Sequence, residues 1–132
     1  MVVTLGKLYD TSDLPGFVAQ GDGALLGAIL YRIHGDQCEI PALFSLVQGI
    51  GAGTKLLDAV ICTAKEKGIR RVWLITTNDD TRAIRFYQKY GFELKAVHVD
   101  AFEKTRELKN ELPSLGNDGI PIKHEFEFEM FL

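Results

Sequence analysis

Val47-Gln48-Gly49-Ile50-Gly51-Ala52-Gly53-Thr54-Lys55-Leu56-Leu57 is the stretch whose reading decides the fold. Glycines at alternate positions separate an apolar run, 43–47, from a helical pattern that starts near Gly53. Glycine tolerates positive φ and lets another group come close to the backbone. A helix opening there presents N–H groups without intrahelical partners at the positive end of its dipole, an arrangement suited to phosphate. A tight strand-to-helix turn with glycine used only for packing explains the same residues, and the stretch alone leaves both readings open. It does not fit G-x-x-x-x-G-K-[ST], because Thr54 precedes Lys55. It does not fit G-x-G-x-x-G either, because the third glycine falls one position early.

Working outward, 2–9 reads as a short strand and 10–16 as a turn cluster. A second strand over 17–20 and a third over 24–33 flank the hairpin signal Gly21-Asp22-Gly23. The fourth strand, 37–47, is interrupted by Pro41, which removes a ladder donor and so marks an edge or a bulge. Leu56, Leu57, Val60, Ile61 and Ala64 recur at helical spacing, with Gly68 placed to end the helix. Val72-Trp73-Leu74-Ile75 reads as a buried strand. Residues 78–81 offer several N-caps to a second helix with Ala83, Ile84, Tyr87 and Tyr90 on its apolar face, ending at Gly91. A strand over 92–99, a short helix over 101–109 and a loop over 110–121 follow. In 123–132 Phe126, Phe128, Met130 and Leu132 share one face, and Glu125, Glu127, Glu129 and Phe131 the other. The order β-β-β-β-α-β-α-β-(α)-β predicts a mixed α/β (α+β) fold in one domain, 1–132. Its centre is a parallel strand–helix–strand crossover.

With 132 residues, 46% hydrophobic and 25% charged, the chain has the balance of an ordinary globular domain. A net charge of −3 with no basic block gives no reason to expect nucleic acid or an anionic membrane as partner. Cys38 and Cys62 suit neither a disulfide scaffold nor a zinc knuckle and read as buried free thiols, Cys62 in the core beside Ile61. No metal is expected. No signal segment or long apolar run is evident, so a cytoplasmic location is expected.

Two motifs together carry a resemblance. Gln48, Gly51 and Gly53 meet the pattern Q/R-x-x-G-x-G/A. After the next strand, Ala83, Phe86, Tyr87, Gly91 and Phe92 match N-x-x-A-x-x-F-Y-x-x-x-G-F in register, with Asp80 where asparagine is usual. Correctly ordered and spaced, they resemble the two signatures of the GNAT superfamily of N-acetyltransferases, over about residues 39–99. The tail, with Gly119-Ile120-Pro121-Ile122 before a Glu-rich strand, resembles one bacterial-type subgroup.

The resemblance implies a mixed, largely antiparallel twisted sheet with helices on both faces. It implies an N-acetyltransferase that moves the acetyl group of acetyl-CoA, as cosubstrate, to a primary amine by direct attack. Leu46 and Val47 would pair with the pantetheine arm, and Gln48, Gly49, Gly51, Ala52, Gly53 and Thr54 would hold the pyrophosphate. Asn78 stands in for the asparagine replaced by Asp80. Tyr87 is the implied general acid and Glu39 the implied general base, with His98, His124 and Glu125 as alternatives. Arg82, Arg85 and Lys89 read as a solvated face or as an aid to the CoA 3′-phosphate, and Trp73 as core. A non-catalytic CoA-binding or interaction module of the same fold is the alternative function. The family usually places two helices between its first two strands, and this chain has only a short turn cluster there. That absence, with Phe131 on the Glu face, predicts a two-fold homodimer. The acceptor stays open between a small amine and a protein amine.

Overall fold

In the computed structural model of the chain, residues 2–4, 7–9, 14–47, 49–108 and 113–132 are described, the side chains of 2–4 and 7–9 excepted. They group into two compact units, Thr11–Trp73 with Phe131–Leu132, and Met1–Asp10 with Leu74–Met130.

The first unit holds strands β3 (Gly16–Gly21), β4 (Ala24–His34) and β5 (Gln37–Ser45), helix α1 (Ala52–Glu66) and the start of β6 (Arg71–Thr77). Its strands lie in the order β3-β4-β5-β6, antiparallel except for the parallel β5/β6 step. The β3–β4 hairpin turns on Asp22 and Gly23, both at positive φ, 52° and 78°. Both central residues of a type I′ turn need that conformation. Pro41 sits at a bulge: Leu30 pairs with Ala42 and Arg32 with Glu39, so Tyr31 faces two residues of β5. Helix α1 buries Leu56, Leu57, Val60, Ile61 and Ala64, each larger side chain contributing about 1.5–3 kcal/mol. It ends in a Schellman motif. The Gly68 N–H donates to the Lys65 carbonyl (3.2 Å) and the Ile69 N–H to the Ala64 carbonyl (3.0 Å), with Gly68 at φ 72°.

The second unit holds β1 (Val2–Thr4), β2 (Lys7–Tyr9), the end of β6, α2 (Thr81–Tyr90), β7 (Glu93–His98), α3 (Ala101–Leu108) and β8 (Glu125–Phe131) up to Met130. Its strand order is β6-β8-β7, with β8 antiparallel to β7. Leu74, Tyr87, Phe92, Phe102 and Phe128 form its buried apolar set.

Three expectations change. The single strand over 2–9 is two strands, paired from Val2↔Tyr9 to Thr4↔Lys7 as a separate ribbon. The loop over 110–121 contains a short 3-10 turn at Asn117–Gly119 and a bridge between Leu115 and Pro121, while 109–112 lie outside the described residues. The acidic face of β8 is not uniformly solvated: Glu125 is 1% exposed, and the Thr105 hydroxyl on α3 donates to it at 2.7 Å. Phe131, by contrast, is 64% exposed.

Candidate active site

β5 delivers the chain into the glycine turn. The Leu46 N–H donates to the Leu26 carbonyl on β4 (2.7 Å), and the Ser45 hydroxyl donates to the Val47 carbonyl (2.9 Å). Gly49 and Gly51 take φ 80° and 78°, the left-handed region where a side chain is strained. Among the described residues nothing lies within 4 Å of where a Cβ would stand at either glycine. Gly51 is the N-cap of α1, with no side-chain cap and no acidic residue in the first turn. At this end the Lys55 N–H donates to the Gly51 carbonyl, at 3.1 Å. The N–H groups of Ala52, Gly53 and Thr54 precede it, in the turn that has no intrahelical acceptor to offer them. Open space at both glycines and a first turn without an acidic residue fit a diphosphate. Gln48, the first residue of the motif, lies outside the described residues.

Glu39 lies on the β5/β6 ladder, paired with Trp73, and opposite Arg32 on β4. It is 6% exposed and not the solvated strand end that its position suggests. Next to it, burial pushes the Cys38 thiol up to about 11, and the Glu39 charge adds to that. Cys62 is not core: it is exposed, its sulfur 3.7 Å from the Glu66 carboxylate. One residue beyond buried Ile61 is about 100° around a helix, which turns it outward. Trp73 is half-buried, with the Arg71 guanidinium 5.4 Å from its ring centre. Arg82, Arg85 and Lys89 are exposed.

In the other unit Asp80 caps α2, accepting from the Ala83 N–H at 3.1 Å, a contact worth about 1 kcal/mol. Tyr87 is 7% exposed and ringed by Phe86 (5.4 Å), Phe92 (5.6 Å) and Phe128 (6.4 Å between ring centres). Its hydroxyl has no hydrogen-bond partner among the described residues. Burial, and then the charge of Asp80, push its phenol well above the ordinary value of 10.0, so it stays protonated at neutral pH.

Asn78, the expected stand-in for a cofactor contact, has its side-chain amide engaged elsewhere. It donates to the Pro121 carbonyl (2.9 Å) and accepts from the N–H groups of Lys123 (2.8 Å) and His124 (2.9 Å). Asp79, which the sequence reading passes over as one of several caps, is 3% exposed. It accepts from the Thr77 hydroxyl (2.5 Å) and from both the backbone and side chain of Asn117 (2.9 Å each). A side chain at Gly116 would run into that carboxylate. No local pattern marks these contacts, because their partners lie about forty residues away.

The alternative bases separate by hydrogen bonding. His98 holds Glu127 through Nε2 at 2.9 Å. His124 accepts the Asp100 N–H on Nδ1 at 2.9 Å, so the neutral ring carries its proton on Nε2 and has no free lone pair there. Glu125 is bonded to Thr105.

Residues 4–92 match the model described as "Acetyltransferase (GNAT) family", and the chain belongs to that family of acyltransferases. Among its relatives is the uncharacterized protein YdhI of Bacillus subtilis, 42% identical over 97% of this chain and 80% of that protein. An uncharacterized N-acetyltransferase of Mycobacterium tuberculosis is 36% identical over 61% of this chain and 54% of its own length. Among solved structures, an IAA acetyltransferase from Bacillus cereus superposes with a TM-score of 0.76 at 27% identity, over 87% of this chain and 75% of that one. A GNAT acetyltransferase from Elizabethkingia anophelis with acetyl-CoA bound has a TM-score of 0.75 at 24% identity, over 87% and 74%, and shares the fold.

Proposed function

We propose that the chain, acting as one domain, is an N-acetyltransferase that transfers the acetyl group of acetyl-CoA to a primary amine by direct attack. The observation that carries this reading is the open, uncapped start of α1 behind Gly49 and Gly51. There the N–H groups from Gly49 to Thr54 bind the pyrophosphate, each charge–dipole contact contributing about 0.3–1 kcal/mol. Backbone groups of Leu46 and Val47 take the pantetheine arm as an added strand.

The amine nitrogen forms a bond to the thioester carbonyl carbon, and the C–S bond then breaks. Glu39 takes the proton that the nitrogen must lose, and Tyr87 gives its phenolic proton to the departing sulfur. The phenol is protonated at neutral pH, so the proton is present when the C–S bond breaks. Acceptor positioning and oxyanion stabilisation supply the remaining rate enhancement.

A screen of small amines and of peptides with free N-termini or lysines, with acetyl-CoA and detection of released thiol, tests the reading. Amine-dependent thiol release with a matching acetylated product is expected. Tight acetyl-CoA binding with no release for any amine would favour a CoA-binding module instead. Cytoplasmic placement belongs to the same reading; among the described residues no helix is long and apolar enough to cross a membrane. Exposed Phe131 supports a homodimer, and sedimentation equilibrium showing only the 14.7 kDa species would exclude it.

A further inference from the structure

We propose that Asn78 is a positioning residue for Tyr87, joining the helix that carries the phenol to the strand that walls it. The inference rests on the acetyl-transfer reading above and replaces a direct cofactor contact by Asn78.

The connections form a closed circuit within one unit. From Asn78 the chain passes through Asp79 to Asp80, which caps α2 on Ala83, and α2 then carries Tyr87. From Tyr87 the circuit crosses to Phe128 on β8 by ring contact. Four residues back along the chain is His124, which returns to Asn78 twice: the His124 N–H donates to its Oδ1 at 2.9 Å, and the Asn78 N–H donates to the His124 carbonyl at 3.1 Å. The Lys123 N–H and the Pro121 carbonyl complete the grip on the amide. One side chain thus ties the start of α2 to the start of β8, and Tyr87 lies where the two elements meet again.

Asp79 strengthens the tie. Its buried carboxylate holds Asn117, in a loop closed on itself by the Ile122 N–H to Ser114 carbonyl bond (3.0 Å) and the Gly116 N–H to Ile120 carbonyl bond (3.0 Å). The tail that Asn78 grips is therefore a fixed anchor. Seven residues of helix separate Asp80 from Tyr87, a lever of about 10 Å. Reorientation at its base moves the hydroxyl by a comparable fraction, and a 1 Å misplacement of a reacting group costs on the order of 10²-fold in rate.

The test compares Asn78→Ala with the unaltered protein by two readouts that need no acceptor. One is acetyl-CoA affinity by calorimetry. The other is the titration of Tyr87, followed in protein labelled with ¹³Cζ-tyrosine and assigned with Tyr87→Phe. Asp80 is the charged neighbour that raises this phenol; Arg82, Arg85 and Lys89 on α2 are exposed, and the ring neighbours Phe92, just before β7, and Phe128 on β8 are uncharged.

The expected result is acetyl-CoA affinity within about twofold of the unaltered protein, with the Tyr87 titration lowered by about one unit or more as its cage loosens. Weakened acetyl-CoA binding would overturn the proposal in favour of a cofactor contact, whatever Tyr87 does. Unchanged affinity with an unchanged Tyr87 titration would leave Asn78 a loop anchor only and would also overturn it. If Asn78→Ala does not fold, Asn78→Ser keeps an uncharged polar group there and shortens its reach to Lys123, His124 and Pro121. It should shift Tyr87 in the same direction, and an unmoved Tyr87 there is equally fatal. Absence of acetyl-CoA binding in the unaltered protein would instead refute the functional reading itself, a separate outcome.

Discussion

The glycine turn before α1 and the Asn78–Asp79 turn before α2 both lead a strand into a helix, and they are built in opposite ways. The first is open: two glycines at positive φ, space where side chains would stand, and no side chain capping the helix. The second is closed: Asp80 caps the helix, Asp79 is buried under three hydrogen bonds, and the Asn78 amide makes three more. A turn whose N–H groups are unclaimed is equipped to bind an anion. A turn whose polar groups are satisfied from within is equipped to hold geometry. The helix behind the closed turn carries Tyr87, the phenol of the proposed chemistry.

This contrast is broken most severely at the open turn. Gly51→Glu puts bulk and negative charge where the pyrophosphate is proposed to sit and forces a side chain into φ 78°. Acetyl-CoA binding should disappear by calorimetry in a variant whose circular dichroism is unchanged. Retained affinity would make the glycines a packing device. Tyr87→Phe should next reduce kcat by about 10²–10⁴-fold with little change in acetyl-CoA affinity. Full turnover where chemistry limits the rate would leave Tyr87 a core aromatic.

At the closed turn the expected effect is on stability. Asp79→Ala leaves the Thr77 hydroxyl and the Asn117 donors without their acceptor, costing about 3 kcal/mol. Urea unfolding checks this; a loss below about 0.5 kcal/mol, the range of ordinary surface substitutions, would show that the loop finds other partners.

The smallest effect concerns Cys38. Its folded-state pKa is raised to about 11 from 9.0, so the folded protein holds the proton more tightly than the unfolded chain. The stability linked to this group is complete below pH 9 and declines as pH rises through 11. Near pH 8, a thiol reagent should modify exposed Cys62 quickly and Cys38 only on unfolding; two fast thiols in the native protein would contradict the buried assignment.

The two turns also differ in how far the sequence reveals them. Gly49 and Gly51 act through their own backbone, so a strand-to-helix turn there and the crossover around it are readable locally. The Asp22-Gly23 hairpin and the Pro41 bulge are legible for the same reason. Asp79 and Asn78 act on partners near positions 117 and 121–124, and no short pattern connects residues so far apart. The second motif finds Tyr87 but not what holds it. Glu125 shows the other limit: strict alternation in β8 puts it on the polar face, yet α3 covers that end and Thr105 satisfies the carboxylate. Cys62 errs in the opposite direction, because adjacency to Ile61 along a helix is not adjacency in the core.

Amide hydrogen exchange with and without saturating acetyl-CoA tests the central contrast most directly. The account predicts that protection gained on binding concentrates in the N–H groups of Val47 and of Gly49 through Thr54. The amides of Asn78, Lys123 and His124, already paired in the free protein, should change little. Protection centred on the closed turn, with the glycine turn exchanging as before, would contradict it.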